Sequence, residues 1–272
     1  MSAYNYSYTS LSLPEFGHQL SVVGYGGWGD ALRASVSGTA SGSGSCSRVS
    51  SSFPAQPLAP LRTGRNGESF FRTTSTGVGA IGTCSTRWSL TFTTPTYPSS
   101  SFSAPALNEI RCDNATGAIG TRPRRTGCVV PWYPAAVNYS RTSYPDLAAH
   151  VTRAQGSGLP GGTIAAPLFR TTNSSINNTN RSRACGTAPS ITNYSCDEYP
   201  LASTYNGLAF GGLLRSFSGC RISAPTGVTG ATGASACMIP ASQNNAQGGL
   251  MSNFYYNERV LDTDPYRVLV TS

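Results

Sequence analysis

The chain has 272 residues, of which 11% are charged, and a formal net charge of +8. That length exceeds one small domain and suits two. Abundant Gly, Ser and Thr, with no long charge-rich helical run, exclude a helix bundle, and no apolar run approaches the roughly 18 residues of a membrane-spanning helix.

All 19 basic residues are arginine. Codon usage explains this adequately, although the guanidinium fork also suits phosphate oxygens. The charge is uneven. Residues 1–120 hold seven Arg and five acids, whereas 121–272 hold twelve Arg and six acids. A basic half-chain raises the local concentration of a polyanion.

In chain order, residues 1–104 read as an all-β, sandwich-like domain. Segments 19–24, 68–73 and 86–93 are rich in β-branched and aromatic residues and are separated by Gly, Pro and Ser. Residues 35–52, nearly all Ser, Gly, Thr and Ala, are expected to be a loop or a poorly ordered edge. No catalytic constellation stands in this half; scaffolding is its expected role, with carbohydrate or surface binding as the alternative. Pro95 to Pro105 reads as a linker, and a second domain is expected over 105–272.

In that second half, Ser143-Tyr144-Pro145-Asp146 begins the clearest helix. Ser143 is the expected cap, Pro145 suits the first turn, and Asp146 complements the dipole. Leu147, His150, Val151 and Ala154 follow at helical spacing, and Gly156 and Gly158 end the run. Residues 160–195 read as loop. Strands are expected at 217–223, 234–239 and 265–271. A second helix is expected from about Gln243 to Tyr256, with Leu250, Met251 and Phe254 as its apolar stripe.

The eight cysteines are Cys46, Cys84, Cys112, Cys128, Cys185, Cys196, Cys220 and Cys237. With no C-x-x-C and only His18 and His150, a Cys/His zinc site has little support. Four disulfides in an oxidising compartment are expected, and nearest-neighbour pairing is the working hypothesis. The first residues, Met-Ser-Ala-Tyr-Asn-Tyr-Ser, lack the basic-then-apolar pattern of a secretory leader, so any leader is expected to be already removed or outside this sequence.

Four ordered blocks carry a family resemblance: Tyr-Pro-Asp-Leu-Ala-Ala-His-Val-Thr-Arg-Ala-Gln at 144–155, Ser-Cys-Asp-Glu-Tyr-Pro-Leu-Ala-Ser-Thr at 195–204, Val-Thr-Gly-Ala-Thr-Gly-Ala-Ser-Ala-Cys-Met-Ile-Pro-Ala at 228–241, and Gln-Asn-Asn-Ala-Gln-Gly-Gly at 243–249, the last followed by Phe-Tyr-Tyr-Asn-Glu-Arg-Val at 254–260. Over about 120–272 the sequence resembles the NucA/NucB deoxyribonucleases, in the long form of secreted actinobacterial proteins. The resemblance implies an α+β chain with a C-terminal ββα-metal nuclease-like domain. It implies Asp197 as general base with Glu198 beside it, and Asn244 as ligand of one Mg²⁺ or Mn²⁺. His150 is then a second-tier site residue. Glu198 and Gln247 are further candidates for the cation, and Asn253 for the substrate.

The chemistry agrees with this set. Phosphodiester hydrolysis needs a deprotonated water and positive charge at the transition state. Adjacent carboxylates on a strand point to opposite faces, so one is free to orient water while the other binds metal or an Arg. Oxygen ligands from Asp, Glu and Asn suit Mg²⁺ or Mn²⁺. Arg183, Arg215, Arg221 and Arg259, and the cluster Arg122, Arg124 and Arg125, are candidate phosphate contacts, which carry no base information. The expectation is a secreted, monomeric, non-specific endonuclease acting on DNA, with no membrane partner. One departure is Gln243, where relatives carry an acid. It motivates the alternative of a binding protein that kept the scaffold and lost turnover; a nuclease toxin is a third reading.

Overall fold

The structure is a computed structural model and describes residues 1–115 and 126–272. These divide into two compact units, one of residues 1–115 with 126–131 and one of residues 132–272.

The first unit is all β. Its strands are β1 (Ser2–Thr9), β2 (Glu15–Val23), β3 (Ser35–Gly44), β4 (Cys46–Ser52), β5 (Gln56–Pro57), β6 (Gly64–Thr73), β7 (Ile81–Thr93), β8 (Ser100–Ser103), β9 (Ile110–Asp113) and β10 (Gly127–Val129). One sheet runs β1-β2-β6-β4; the other runs β10-β9-β7-β3-β5, with β8 also on β7. Strict alternation drives the sandwich. Phe16, Leu20 and Val22 of β2 and Phe71 of β6 point inward, as do Val36 and Ala40 of β3 and Trp88 and Leu90 of β7.

Three expectations are corrected here. Residues 35–52 are not a loop but the strands β3 and β4. Their small residues have a packing reason: a Cβ on Gly38 would lie 2.8 Å from the Phe53 ring and 3.2 Å from Trp88, and one on Gly42 would lie 2.9 Å from Phe71. Large core aromatics thus demand glycine on the facing strand. The supposed linker at 95–105 contains β8, which pairs with β7. The break expected at 104/105 is displaced, because β9 pairs with β7, β10 pairs with β9, and Cys112–Cys128 joins that last pair.

The second unit mixes strands and helices: β11 (Ala135–Ser140), α1 (Pro145–Gly156), β12 (Leu168–Phe169), α2 (Ser174–Cys185), β13 (Tyr194–Tyr199), β14 (Leu214–Arg215), β15 (Ala234–Pro240), α3 (Ala241–Asn257) and β16 (Pro265–Thr271). β16 is flanked by β11 and β12, and β15 by β13 and β14. β13 and β15 are antiparallel, with Asp197 opposite Cys237 and Glu198 opposite Ala236. α3 leaves the end of β15 directly, completing a ββα arrangement. Leu147 and Val151 of α1, Met251 and Phe254 of α3, Tyr199, and Val268 of β16 share one core.

Helices α1 and α3 and the strand at 265–271 lie where periodicity places them. The strand expected at 217–223 is absent; a short strand occupies 214–215 instead. Helix α2 falls in a stretch read as loop. Its sequence offers no apolar stripe, and only Asn180 and Ala184 are buried. Specific polar contacts hold it in place of hydrophobic patterning. Asn173 Oδ1 accepts from the N–H groups of Ser175 and Ile176 at the N-terminus. The Asn180 amide donates to Ala202 O and Thr204 O and accepts from Ala209 N–H. The last residue, Cys185, is bonded to Cys196 of β13. The four disulfides are 46–84, 112–128, 185–196 and 220–237, the nearest-neighbour pairing.

Candidate active site

Strand β13 sends its two carboxylates to opposite sides. Asp197 points inward and is 1% exposed. Its Oδ2 lies 2.5 Å from Nδ1 of His150, which α1 buries completely. On the far side of the ring, Nε2 lies 3.0 Å from Ser235 Oγ, and the Ser235 hydroxyl donates to Tyr199 O at 3.3 Å. Because that hydroxyl proton is already committed, its oxygen accepts from Nε2–H. The imidazole is thus held on both sides, by Asp197 and by Ser235.

Glu198 points the other way, into a cavity of about 500 Å³ walled by α2, α3 and the segment 201–203. It is the one acid among the described lining residues. Burial, and then the charge of Asp197 across the strand, raise its pKa to about 7. The Arg181 guanidinium on α2 opposes the rise, with Nε 3.9 Å from a Glu198 oxygen. The carboxyl therefore sits near neutrality, where a general base works best.

Across the cavity, Asn244 stands in the first turn of α3. Its amide nitrogen donates to Ser195 Oγ and to Cys196 O, both at 2.9 Å. Both N–H groups are thereby spent on β13, so Oδ1 is the atom left to serve as a ligand. Gln247, one turn further on, is 7% exposed and lines the same cavity, and its side chain reaches the buried Tyr139 hydroxyl. Among the described residues no group of three or more His, Cys, Asp and Glu side chains converges. A cation here would rest on the Asn244 amide oxygen and water, a hard-oxygen set suited to Mg²⁺ or Mn²⁺.

The other sequence candidates lie elsewhere. Arg183 donates to Leu208 O at 2.7 Å. Arg215 is 1% exposed and committed to the carbonyls of Ser157, Gly230 and Thr232. Arg259 is buried at a positive φ of 53°. Arg221 is exposed and lies over the Tyr194 ring at 4.6 Å. Asn253 is exposed on α3, outside the cavity lining. The cluster Arg122, Arg124 and Arg125 lies outside the described residues. The cavity instead holds two arginines that sequence reading passed over. Arg170 stacks on Tyr255 at 4.1 Å. Arg181 precedes Cys185 by one helical turn. Since Cys185 is bonded to Cys196, two residues before Glu198, recognising α2 as a helix was the missing step.

Gln243 also gains a structural reason. Its Oε1 accepts from the N–H groups of Asp146 (3.0 Å) and Leu147 (3.1 Å), and its Nε2 donates to Asp146 Oδ2 (2.9 Å). It caps α1 in place of Ser143, which makes no such bond; the residue at the cap position, Tyr144, offers none either. A carboxylate at 243 would keep the two N–H bonds and repel Asp146. Gln243→Ala is expected to cost about 1 kcal/mol, and Gln243→Glu to destabilise at pH 8 but not when Asp146→Asn is added. Denaturant midpoints of the three variants check this.

Residues 165–269 match the family model described as Deoxyribonuclease NucA/NucB. This part of the chain is similar to the NucA/NucB deoxyribonucleases. No curated protein matches the chain. The match takes in β12, α2, β13, β15 and α3, and so every wall of the cavity; the block at 144–155, with His150, lies outside it. Within the matched residues, the ββα element is the one that presents Glu198 and Asn244 to a common space.

Proposed function

We propose that residues 132–272 form an endonuclease that hydrolyses DNA phosphodiesters, with Glu198 as general base and Asn244 as ligand of one Mg²⁺ or Mn²⁺. The observation that carries this reading is the placement of Glu198, a single acid with pKa near 7 in a cavity of the matched domain. Asp197 is then the positioning partner behind the strand rather than the base, because its carboxylate is closed off from the cavity and held by His150.

In the reaction Glu198 accepts a proton from water as the water oxygen attacks phosphorus. The bond from phosphorus to the leaving oxygen breaks, and that oxygen takes a proton from solvent. Arg181 and Arg170 supply positive charge to the phosphate. The chemistry a bound cation supplies is neutralisation of charge growing on the phosphoryl oxygens. Such phosphate contacts are indifferent to base sequence, so the enzyme is non-specific and its rate falls with salt. Four disulfides favour an oxidising, extracellular setting. Among the described residues no helix is long and apolar enough to cross a membrane.

Gln243 gives no separate support to an inactive scaffold, since capping α1 accounts for it. A plasmid-nicking assay with Mg²⁺, with Mn²⁺ and with chelator tests the reading. Cleavage by the wild type is expected only with a cation. Asn244→Ala is expected to need at least about tenfold more cation for half-maximal rate. Cleavage in chelator, or an unchanged cation requirement in the variant, would reject the assignment.

A further inference from the structure

The outer face of the β1-β2-β6-β4 sheet has no part in the nuclease reading, yet it is a constructed surface. Tyr4, Tyr6 and Tyr8 alternate along β1 and are 54%, 53% and 40% exposed. They share the outer face, since Asn5 between them turns inward to the buried His18 at 3.2 Å. Single exposed aromatics are ordinary, but three in a row on one sheet face are a patch. Beside them lies a groove of about 390 Å³, whose lining includes Tyr6, Gln19, Asn66 and Glu68. Register explains the placement: Tyr6 pairs with Gln19, and Gln19 with Glu68 on the next strand.

The side chains there are held by one another. The Tyr6 hydroxyl donates to Gln19 Oε1, the Gln19 amide donates to Glu68 Oε1, and the Tyr8 hydroxyl donates to the same oxygen at 2.6 Å. Those bonds hold the Glu68 carboxyl below the usual carboxylate range, so it is ionised at neutral pH. Both donors fall on Oε1, and Oε2 has no hydrogen bond within the described residues. Ordering the rings in advance lowers the cost of binding.

We propose that this face binds a neutral polysaccharide, with Tyr4, Tyr6 and Tyr8 as stacking platforms for sugar rings and Glu68, Gln19 and Asn66 as hydroxyl partners. A sugar ring has an apolar C–H face and a polar hydroxyl rim, and an aromatic face beside planar carboxylate and amide groups matches both. Charge decides against a polyanion: among the described residues that line the groove the one charged side chain is Glu68, and none is arginine. The ionised Glu68 among planar amides at the centre of the groove fits hydroxyl groups better than the apolar centre of a protein interface, which is depleted in Glu. The proposal is independent of the nuclease assignment.

The test uses the full chain, in depletion assays on insoluble cellulose and chitin and on an array of neutral and acidic glycans. Retention by at least one neutral glycan is expected, little changed by added salt. Tyr6→Ala and Glu68→Ala are each expected to bind about tenfold more weakly, with an unchanged far-ultraviolet circular dichroism spectrum. Should Tyr6→Ala disturb the edge strand, Glu68→Gln keeps the side-chain shape and is expected to weaken binding as well. Failure to retain any neutral glycan, retention of acidic glycans alone, loss of retention in salt, or equal binding by folded variants would each overturn the proposal.

Discussion

Glu198→Gln is expected to remove DNA cleavage and at the same time to stabilise the protein above pH 7. Loss of a general base costs on the order of 10²–10⁴ in rate. The stability half follows from the raised pKa. A carboxyl that titrates near 4.5 unfolded and about 7 folded binds its proton more tightly in the native state. Stability is then greatest below pH 4.5, falls as pH rises through 7, and carries the full penalty above it. The penalty is on the order of 1–3 kcal/mol. The amide variant does not titrate, so its unfolding midpoint changes less between pH 5 and 8 and exceeds wild type at pH 8. The same proton sets the rate: wild-type cleavage rises with pH until Glu198 is ionised and then levels off. Denaturant titrations at the two pH values, with a pH–rate profile, check both halves. A variant that cleaves at the wild-type rate would end the assignment.

Asp197→Ala is expected to be among the most destabilising single changes in the second unit. It leaves His150 buried with a charge or a donor unmatched, and breaking such a pair from one side costs roughly 3–5 kcal/mol. Against a typical total of about 5–15 kcal/mol, much of the protein would unfold near 37 °C. Asp197→Asn keeps an acceptor for the imidazole and removes the charge, so it separates support from catalysis. Folded Asp197→Asn is expected to keep cleavage within about tenfold of wild type. Its pH–rate midpoint is expected below that of wild type, because the Asp197 charge is the second cause that raises Glu198. A loss as deep as that of Glu198→Gln would return the base to Asp197. Thermal unfolding followed by circular dichroism, together with cleavage rates per folded molecule, makes the measurement.

The sequence was most legible where one pattern had one physical cause. Tyr144-Pro145-Asp146 followed by apolar residues at helical spacing forms α1, and Asp197-Glu198 lies on a strand ahead of the helix that carries Asn244. Alternation along a strand was enough to separate the two carboxylates. It was silent on which face meets the cavity, because that depends on His150 and Asn180, each more than 15 residues away in the chain. Helix α2 was illegible for a related reason. Its buried contacts are the amide of Asn180 and a disulfide, which leave no apolar period, and with α2 went Arg181. Residues 35–52 misled in the opposite sense. Low complexity there reflects the room needed by Phe53, Phe71 and Trp88 on facing strands, a demand set by other parts of the chain. The arginines of the second unit were read by their nearness to motifs, and Arg215 and Arg259 are instead parts of its interior.

Cys196 and Cys237 lie on β13 and β15, the paired strands that set the site, and each is bonded to a residue outside that pair. The arrangement has a consequence in parity. An odd slip of β13 along β15 would exchange the two carboxylates, bringing Asp197 to the cavity and Glu198 to His150; an even slip would keep the faces and move Glu198 past Asn244. A sulfur anchor ties each strand to its own neighbour, β13 to the end of α2 and β15 to Cys220, so either slip would have to drag a bonded segment with it. The distinction between a buried carboxylate and a working one is therefore supported by two covalent bonds that take no part in the chemistry.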